Sequence, residues 1–433
     1  MRKKFASKGA DVLEANERAF QAGIEFSRSH PLKEDRRLIE APGGSQKVLI
    51  DGNDICAAAA IFAGCRFFGG YPITPSSEIM QFFSREVFKY GGSILQAEDE
   101  IAGIGAVVGA SFAGAKAMTA TSGPGLSLKT EILGLATIAE LPLVCVNVQR
   151  GGPSTGLPTK SEQSDLFAAA FSAHGDVVRP VLAPVGVEDM FGVTVEAFNI
   201  AEEYQTPVIV LSDQDIAQRK EAIDPIDTGR FRVVERRRPT AEELEGYARF
   251  QMTESGVSPI SHPGMRGGEY LASGIEHDER GAPSVNGAVH ARMNEKRFRK
   301  FGPLQRREDL FDHAGPDDAP LGLIAWGSVA GIVREGVERA IAEGAAVKLL
   351  VPRLLYPVAA PIYAAFFRSM SRCVVIEQSH QGQLHKLLRM WVPVPGTFES
   401  VAKDGASPFS PEEVHSIIRA RAISGTGGRN GDS

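Results

Sequence analysis

A carboxylate opens the glycine-rich, helix-like segment EIAGIGAVVGASF, whose first residue is Glu100. Acidic residues favour the start of a helix because they oppose its dipole, which is the simpler interpretation of this position. Gly103, Gly105 and Gly109 argue for more, since a glycine inside a helix costs about 1 kcal/mol relative to alanine. We therefore expect another backbone or a bound ligand to approach this helix closely. Glu100 would then be partly desolvated and suited to holding or sharing a proton.

Thr74 lies between two prolines in the segment GGYPITPSSEI. Pro72 and Pro75 restrict the backbone on either side, and Ser76 or Ser77 is suited to capping the helix that follows. A strand-to-helix turn with a good cap would explain the segment. A rigidly presented hydroxyl would also suit a binding site that needs preorganised groups.

Arg150 ends the apolar run VCVNVQR and precedes the loop GGPSTGLPTK. If the run is a buried parallel strand, Arg150 stands at its carboxyl end, where α/β sheets bind their ligands. A guanidinium there could bind a carboxylate through two hydrogen bonds, or it could form an ordinary surface ion pair.

The segment TATSGPGLSLKTEI predicts a strand, a tight Gly-Pro-Gly turn and a helix. Leu128, Ile132, Leu135 and Ile138 recur at helical spacing, so we expect them to face the core. The start of this helix could bind an anion. The segment has neither the Lys-Ser/Thr pair of a P-loop nor GxGxxG spacing, which disfavours a nucleotide site.

The elements that would position these residues alternate along the chain. Strand-like runs such as KVLIDG, KAMTATS and PVIVLSD are separated by helix-like runs, which indicates an α/β fold with parallel sheets covered by helices. We expect an N-terminal extension at residues 1–46, an α/β domain at 47–230, an irregular connection at 231–320, a second α/β domain at 321–420 and a disordered tail at 421–433.

The composition excludes several other classes of protein. The 433 residues carry a net charge of −6 without a clustered basic face, which disfavours a nucleic-acid partner. Four cysteines without a CxxC pair disfavour a structural zinc site or an iron–sulfur cluster on this chain, and they indicate a reduced, cytoplasmic protein. No apolar run reaches the length of about 18 residues that a membrane helix needs.

Six segments, taken in order, resemble the alpha subunit of the 2-oxoacid:ferredoxin oxidoreductases. They are GGYPITPSSEI, QAEDEIAGIGAVVGASFAGAKAMTATSGPGLSLKTEILGLA, ELPLVCVNVQRGGPSTGLPTKSEQSDL, TPVIVLSD, FQMTESGVSPISHPGMRGGEYLASGIEHDERGAPS, and AWGS with VVIEQSHQGQL. The resemblance covers roughly residues 47–420. It implies a thiamine diphosphate (TPP) pyrimidine-binding domain followed by a transketolase C-terminal-like domain.

The resemblance also implies a reaction, the CoA-dependent oxidative decarboxylation of a 2-oxoacid to an acyl-CoA, with electrons passed to ferredoxin. In these enzymes the C2 carbanion of TPP attacks the 2-oxoacid, and a carboxylate bonded to the aminopyrimidine ring nitrogen favours the imino tautomer that removes the C2 proton. Glu100 matches that carboxylate by motif position. Ile73 is then expected near the pyrimidine ring, Thr74 against the substrate, and Arg150 at the substrate's carboxylate.

Two features of these enzymes are missing from the sequence. It has no GDG motif to hold Mg²⁺ and the diphosphate, and no set of cluster ligands. The resemblance therefore implies a beta subunit that carries Mg²⁺ and a [4Fe-4S] cluster, in an obligate alpha–beta assembly. It gives residues 1–46 no counterpart, and it favours 2-oxoglutarate over pyruvate, branched-chain and aryl 2-oxoacids.

Two other functions are compatible with parts of the sequence. The beta subunit of an E1-type TPP dehydrogenase also joins a pyrimidine domain to a C-terminal α/β domain, but it passes the acyl group to lipoyl. YPITPSSE and QRGGPSTG favour the ferredoxin-linked family. A non-catalytic α/β scaffold chain would predict that Glu100→Gln leaves every activity of the complex unchanged.

Overall fold

The computed structural model of the chain describes residues 2–31, 44 and 46–422. Residue contacts divide the chain into two units, Met1–Gln46 and Lys47–Ser433. All but the first two residues of the expected disordered tail lie outside the described part of the chain, as does most of the turn-rich end of the expected extension.

The first unit contains two helices, α1 (Arg2–Phe5) and α2 (Ala10–Ser29). On α2, Phe20 and Phe26 are more than half exposed, at 56% and 64%. Large apolar side chains at this exposure show that α2 has an apolar surface that its own unit does not cover.

The second unit contains strands β1–β14 and helices α3–α14. The strands are β1 Val48–Asp51, β2 Cys65–Gly70, β3 Ser93–Gln96, β4 Lys116–Thr121, β5 Leu143–Gln149, β6 Val181–Leu182, β7 Pro207–Asp213, β8 Lys220–Ile223, β9 Phe311–Ala314, β10 Leu321–Ala325, β11 Val347–Pro352, β12 Leu354–Tyr356, β13 Arg372–Glu377 and β14 Thr397–Ala402. The helices are α3 Gly52–Phe62, α4 Ser77–Glu86, α5 Glu100–Phe112, α6 Gly123–Ile138, α7 Leu166–Phe171, α8 Val187–Tyr204, α9 Gln214–Gln218, α10 Gly287–Arg299, α11 Val329–Ala342, α12 Ala360–Phe367, α13 Gln383–Trp391 and α14 Pro411–Arg419. Within residues 2–31, 44 and 46–422, no helix combines the length and the apolar character that crossing a membrane requires.

The larger sheet has seven strands in the order β12-β6-β7-β5-β4-β2-β3. Strands β2 to β7 pair in parallel, and β12 joins the edge antiparallel to β6. Both β5 and β7 are buried along their whole length, which explains why they are near-continuous apolar runs. The predicted α/β fold with parallel sheets is confirmed.

The second unit also contains two smaller sheets. A five-stranded sheet has the order β14-β13-β10-β11-β9, with β9 antiparallel to β11 and the other strands parallel. The run KVLIDG forms β1, as predicted, but β1 pairs antiparallel with β8 in a two-stranded sheet of its own.

The connection between the sheets is irregular over residues 224–286 except for a single 3₁₀ turn, and a buried ion pair anchors it to helix α8. Arg236 donates from Nε to Glu202 at 2.7 Å, and both side chains are 2% exposed. Helix α10 follows and was not predicted. Its Lys296 donates to the fully buried Glu140 at 2.6 Å. The buried face of α10 includes charged residues, so the sequence lacks the apolar periodicity that would have predicted a helix here.

Two backbones meet where α5 packs against β2. A Cβ added at Gly103 would lie 3.0 Å from Cα of Gly70, and one added at Gly69 would lie 2.7 Å from the carbonyl oxygen of Gly103. This is the close approach predicted from the helical glycines, and it holds for Gly103. The space beside Gly105 and Gly109 is open in the described part of the chain, so for those two the close approach of a bound ligand or another chain stays a prediction.

Helix α6 begins at Gly123, so Gly-Pro-Gly is its first turn and not a separate tight turn before it. Leu126, Lys129 and Leu133 are on its buried face. The sequence predicted that Leu128, Ile132, Leu135 and Ile138 face the core. That prediction was wrong for Leu128, which is 50% exposed. The remaining three are only half-buried: Ile132, Leu135 and Ile138.

We predict that Gly103→Ala destabilises the chain by about 1–3 kcal/mol, because the added methyl group overpacks the contact with β2. Gly109→Ala on the same helix is the matched control. Its Cβ meets open space, so it should gain up to about 1 kcal/mol from helix propensity. Denaturant unfolding of the two purified variants measures both, and a Gly103→Ala variant as stable as Gly109→Ala would contradict the packing.

Candidate active site

The predicted site residues lie at one edge of the larger sheet. Thr74 follows β2, Glu100 follows β3 as the first residue of α5, and Arg150 follows β5. These strands are parallel, so their carboxyl ends meet at the same edge, where α/β sheets bind ligands.

Glu100 is held at the start of α5 and is 6% exposed. The preceding Asp99 caps the helix, accepting a hydrogen bond from the backbone N–H of Ala102 at 2.7 Å. Across from Glu100 lies Gly125, where an added Cβ would be 2.7 Å from Oε1 of the carboxylate. No hydrogen bond to this carboxylate is found within residues 2–31, 44 and 46–422.

Lys129 lies one turn after Gly125 on α6 and was missed by the sequence analysis. It has no exposed surface, and its Nζ donates to the carbonyl oxygen of Glu100 at 3.1 Å. Burial lowers the pKa of the Lys129 ammonium, whereas nearby Cys145 and Glu100 oppose that shift. Only the orientation of α6 could have identified this lysine, because charged residues are ordinarily assigned to the surface.

Arg150 and Thr74 are in direct contact. Nη1 of Arg150 donates to the carbonyl oxygen of Thr74 at 2.5 Å, which is the one hydrogen bond found for this guanidinium in the described chain. Arg150 is 5% exposed, whereas Thr74 is exposed. Burial lowers the pKa of Arg150, and the negative charge of Asp165 opposes that shift.

The turn after β2 is closed by Ser76, which donates from its backbone N–H and its Oγ to the carbonyl oxygen of Ile73, each at 2.9 Å. Helix α4 begins at Ser77, with Ser76 as its N-cap residue, as predicted. The hydroxyl of Ser76 bonds to the turn, however, and not to the helix N–H groups. Ile73 is half-buried beside the exposed Thr74.

Asp165 is a second carboxyl group near Arg150 and was also missed. Nδ2 of Asn147 donates to it at 2.8 Å. Burial raises the pKa of Asp165, and Asn147 and Arg150 act in the opposite direction. A carboxyl group that is more easily neutralised beside Arg150 limits repulsion of a substrate carboxylate.

Four apolar side chains from the segments around Glu100 are about half exposed. They are Tyr71 (40%), Leu95 (43%), Ile101 (49%) and Leu128 (50%). Several exposed large apolar residues next to buried polar groups are typical of a surface that binds another molecule.

The amino-acid sequence of the chain is similar to one family of known enzymes. A sequence profile of the family described as pyruvate flavodoxin/ferredoxin oxidoreductase, thiamine diphosphate-binding, matches residues 58–296, which is more than half of the chain. The 2-oxoglutarate synthase subunit KorA of Methanothermobacter thermautotrophicus is 36% identical over 378 residues, covering 86% of this chain and 98% of that protein. The 2-oxoglutarate oxidoreductase subunit KorA of Mycobacterium tuberculosis is 36% identical over 438 residues, covering 97% of this chain and 64% of that protein.

A solved structure resembles the chain as closely. It is a 2-oxoglutarate:ferredoxin oxidoreductase from Magnetococcus marinus with 2-oxoglutarate, coenzyme A and succinyl-CoA bound. Its similarity has a TM-score of 0.89 and 39% identity, over 97% of this chain and 73% of that one. An alignment over 97% of the chain leaves out about 13 residues, so it includes much of residues 1–46, for which the sequence analysis found no counterpart.

The profile, the relatives and the solved structure agree with the order of motifs along the sequence. The profile is described as thiamine diphosphate-binding, and the relatives are named as subunits of enzymes that act on 2-oxoacids. The resemblance expected from the sequence is confirmed: the chain belongs to the alpha subunits of the 2-oxoacid:ferredoxin oxidoreductases.

Proposed function

We propose that Glu100 bonds the aminopyrimidine ring of TPP in the decarboxylation of 2-oxoglutarate. One observation carries this role: the carboxylate is buried at the start of α5 and accepts no hydrogen bond in the described chain, while Gly125 leaves room beside it. A carboxylate that is only 6% exposed has little access to water, so a further hydrogen-bond donor would stabilise it. A protonated ring nitrogen is such a donor.

The groups around Glu100 fit a planar ring with polar atoms at its edge. The hydroxyls of Thr121 and Ser122, at the end of β4, are buried and find no hydrogen-bond partner among the described residues. Ile73 offers apolar surface nearby in the chain. Among the described residues no group of three or more His, Cys, Asp or Glu is arranged to hold a metal ion.

The side chains of this subunit would then bind and orient the cofactor and the substrate, and one of them would hold a proton. When bound, TPP supplies a C2 carbon that attacks the substrate carbonyl and takes up the electrons left by the departing carboxylate. Glu100 accepts the ring N–H and thereby stabilises the imino form of the aminopyrimidine, which can remove the C2 proton. Arg150 has further N–H donors for the substrate's carboxylate, and Thr74 presents its hydroxyl at the same edge of the sheet.

The assignment of 2-oxoglutarate has two supports. Relatives that are 36% identical to this chain over the aligned residues are named for 2-oxoglutarate, and the M. marinus structure contains it. The loop after Arg150 also returns beside it, since the N–H of Gly151 donates to the carbonyl oxygen of Lys160 at 3.1 Å. The main chain of Lys160 therefore lies next to that of Gly151, and its exposed ammonium would be available to the second carboxylate of the substrate.

We infer that a beta subunit holds Mg²⁺, the diphosphate and a [4Fe-4S] cluster, and that the assembled enzyme uses CoA and reduces ferredoxin. The absence of a GDG motif from the sequence supports the first part. The exposed apolar residues around Glu100 support a partner at this edge. An E1-type beta subunit is the alternative for the chemistry, and it would require transfer to lipoyl with no iron in the complex.

We predict that Glu100→Gln lowers kcat of the reconstituted alpha–beta complex by about 10²–10⁴-fold, because a neutral amide stabilises the protonated ring nitrogen much less than a carboxylate does. Ferredoxin or viologen reduction with 2-oxoglutarate and CoA is the measurement. The control is Glu98→Gln, an exposed carboxylate two residues earlier, which should stay within about twofold of wild type. Full activity of Glu100→Gln would support a scaffold chain instead.

Replacing Arg150 with methionine should lower kcat/KM for every 2-oxoacid by about 30-fold or more, since a buried charge pair with the substrate is lost. The effect should fall mainly on KM. Arg219→Met removes a half-exposed arginine that pairs with Glu221, and it should change kcat/KM little. Equal losses in the two variants would mean that Arg150 does not bind substrate.

Lys160→Met should lower kcat/KM for 2-oxoglutarate by about tenfold and leave that for pyruvate nearly unchanged, because only the former has a second carboxylate. Rates on both substrates with the same preparation give the ratio directly. An unchanged ratio would place the second carboxylate elsewhere, most simply on the partner subunit.

A further inference from the structure

Lys129 is a buried charge that the roles proposed for Glu100, Thr74 and Arg150 leave unexplained. Its Nζ has one hydrogen-bond acceptor in the described chain, the carbonyl oxygen of Glu100, at 3.1 Å. Glu100 is the first residue of α5, and the ladder of an α-helix already assigns its carbonyl oxygen to an N–H four residues later. The main chain therefore does not need this lysine.

The stability of the fold does not need it either. An ammonium without exposed surface carries a large desolvation cost, and a methionine of similar length could fill the same space without that cost. Burial accordingly lowers the pKa of Lys129. Among the groups that favour its charged form are two carboxylates at the start of α5, Glu100 and Asp99. Their negative charge is the feature of the surroundings that explains a lysine at this position.

Lys129 and Gly125 lie one turn apart on the same face of α6. The missing side chain of Gly125 makes room for the carboxylate of Glu100, since an added Cβ would lie 2.7 Å from Oε1. Lys129 contacts the main chain of the same residue. The same face of α6 thus contacts both the carboxylate and the main chain of Glu100.

We propose that Lys129 is a positioning residue for Glu100. Its ammonium fixes the first turn of α5 and places a positive charge beside the carboxylate, which holds the side chain in the orientation that the contact with the aminopyrimidine ring requires. This inference rests on the function proposed for Glu100. It assigns Lys129 an effect on proton removal from the cofactor without any contact with cofactor or substrate.

The test uses Lys129→Met in the full alpha–beta complex. Two quantities are measured: the Kd for TPP, and the rate at which solvent deuterium replaces the C2 hydrogen of bound TPP when TPP is saturating. We expect exchange to slow by about tenfold or more, equivalent to about 1.4 kcal/mol, and the Kd to rise. Lys129→Gln, which keeps a hydrogen-bond donor but removes the charge, should also slow exchange, and it decides the question if the methionine variant fails to assemble.

Lys116→Met is the matched control, because Lys116 is another buried lysine of the same sheet. It is 5% exposed and donates to the carbonyl oxygens of Ala63 at 2.9 Å and Val234 at 2.7 Å, at the opposite end of β4 from the site. Its replacement should lower the unfolding temperature while exchange stays within about twofold of wild type.

Exchange at the wild-type rate in both Lys129 variants, or equal slowing in Lys116→Met, would overturn the inference. Glu100→Gln separates this failure from failure of the proposed function. If Glu100→Gln abolishes exchange and the Lys129 variants do not slow it, only the role of Lys129 is wrong. If Glu100→Gln itself exchanges normally, the function proposed for Glu100 is wrong as well.

Discussion

The contact between the backbones of β2 and α5 is the constraint on which the site depends. Gly103 lies so close to Gly70 that even a methyl group would crowd the contact. The chain leaves β2 toward Thr74, and α5 begins with Glu100 three residues before Gly103. A single glycine contact therefore fixes the spacing between the loop that presents a hydroxyl and the helix that presents a carboxylate.

Helix α6 supplies the other side of the Glu100 environment. Its buried face meets Glu100 through Gly125 and Lys129, whereas Leu128, outside that face, is 50% exposed. The exposed Leu128 is one of the apolar side chains on this surface, so a partner that covers it would lie on the helix that contacts Glu100. This arrangement accords with the membership of the chain in a family of enzyme subunits.

The sequence was sufficient for the fold class and for the positions of Glu100, Thr74 and Arg150, because strand alternation and glycine–proline punctuation are local signals. It failed on the orientation of α6. That helix is apolar on both sides, so its period shows that it is a helix without showing which side is inside. Lys129 and Asp165 were missed for a related reason, since a charged residue gives no sign that it will be buried until its neighbours are placed. Helix α10 was missed because its buried face carries lysine and arginine, which are neutralised by partners far away in the chain.

The role of Glu100 can be tested by the distance between its carboxylate and the ring nitrogen of TPP in a structure of the assembled alpha–beta complex. We expect a hydrogen bond of about 2.6–3.2 Å between heavy atoms, with Gly125 still packed against the carboxylate. A well-ordered cofactor whose pyrimidine ring is bonded by a different residue, with Glu100 turned toward solvent, would contradict it.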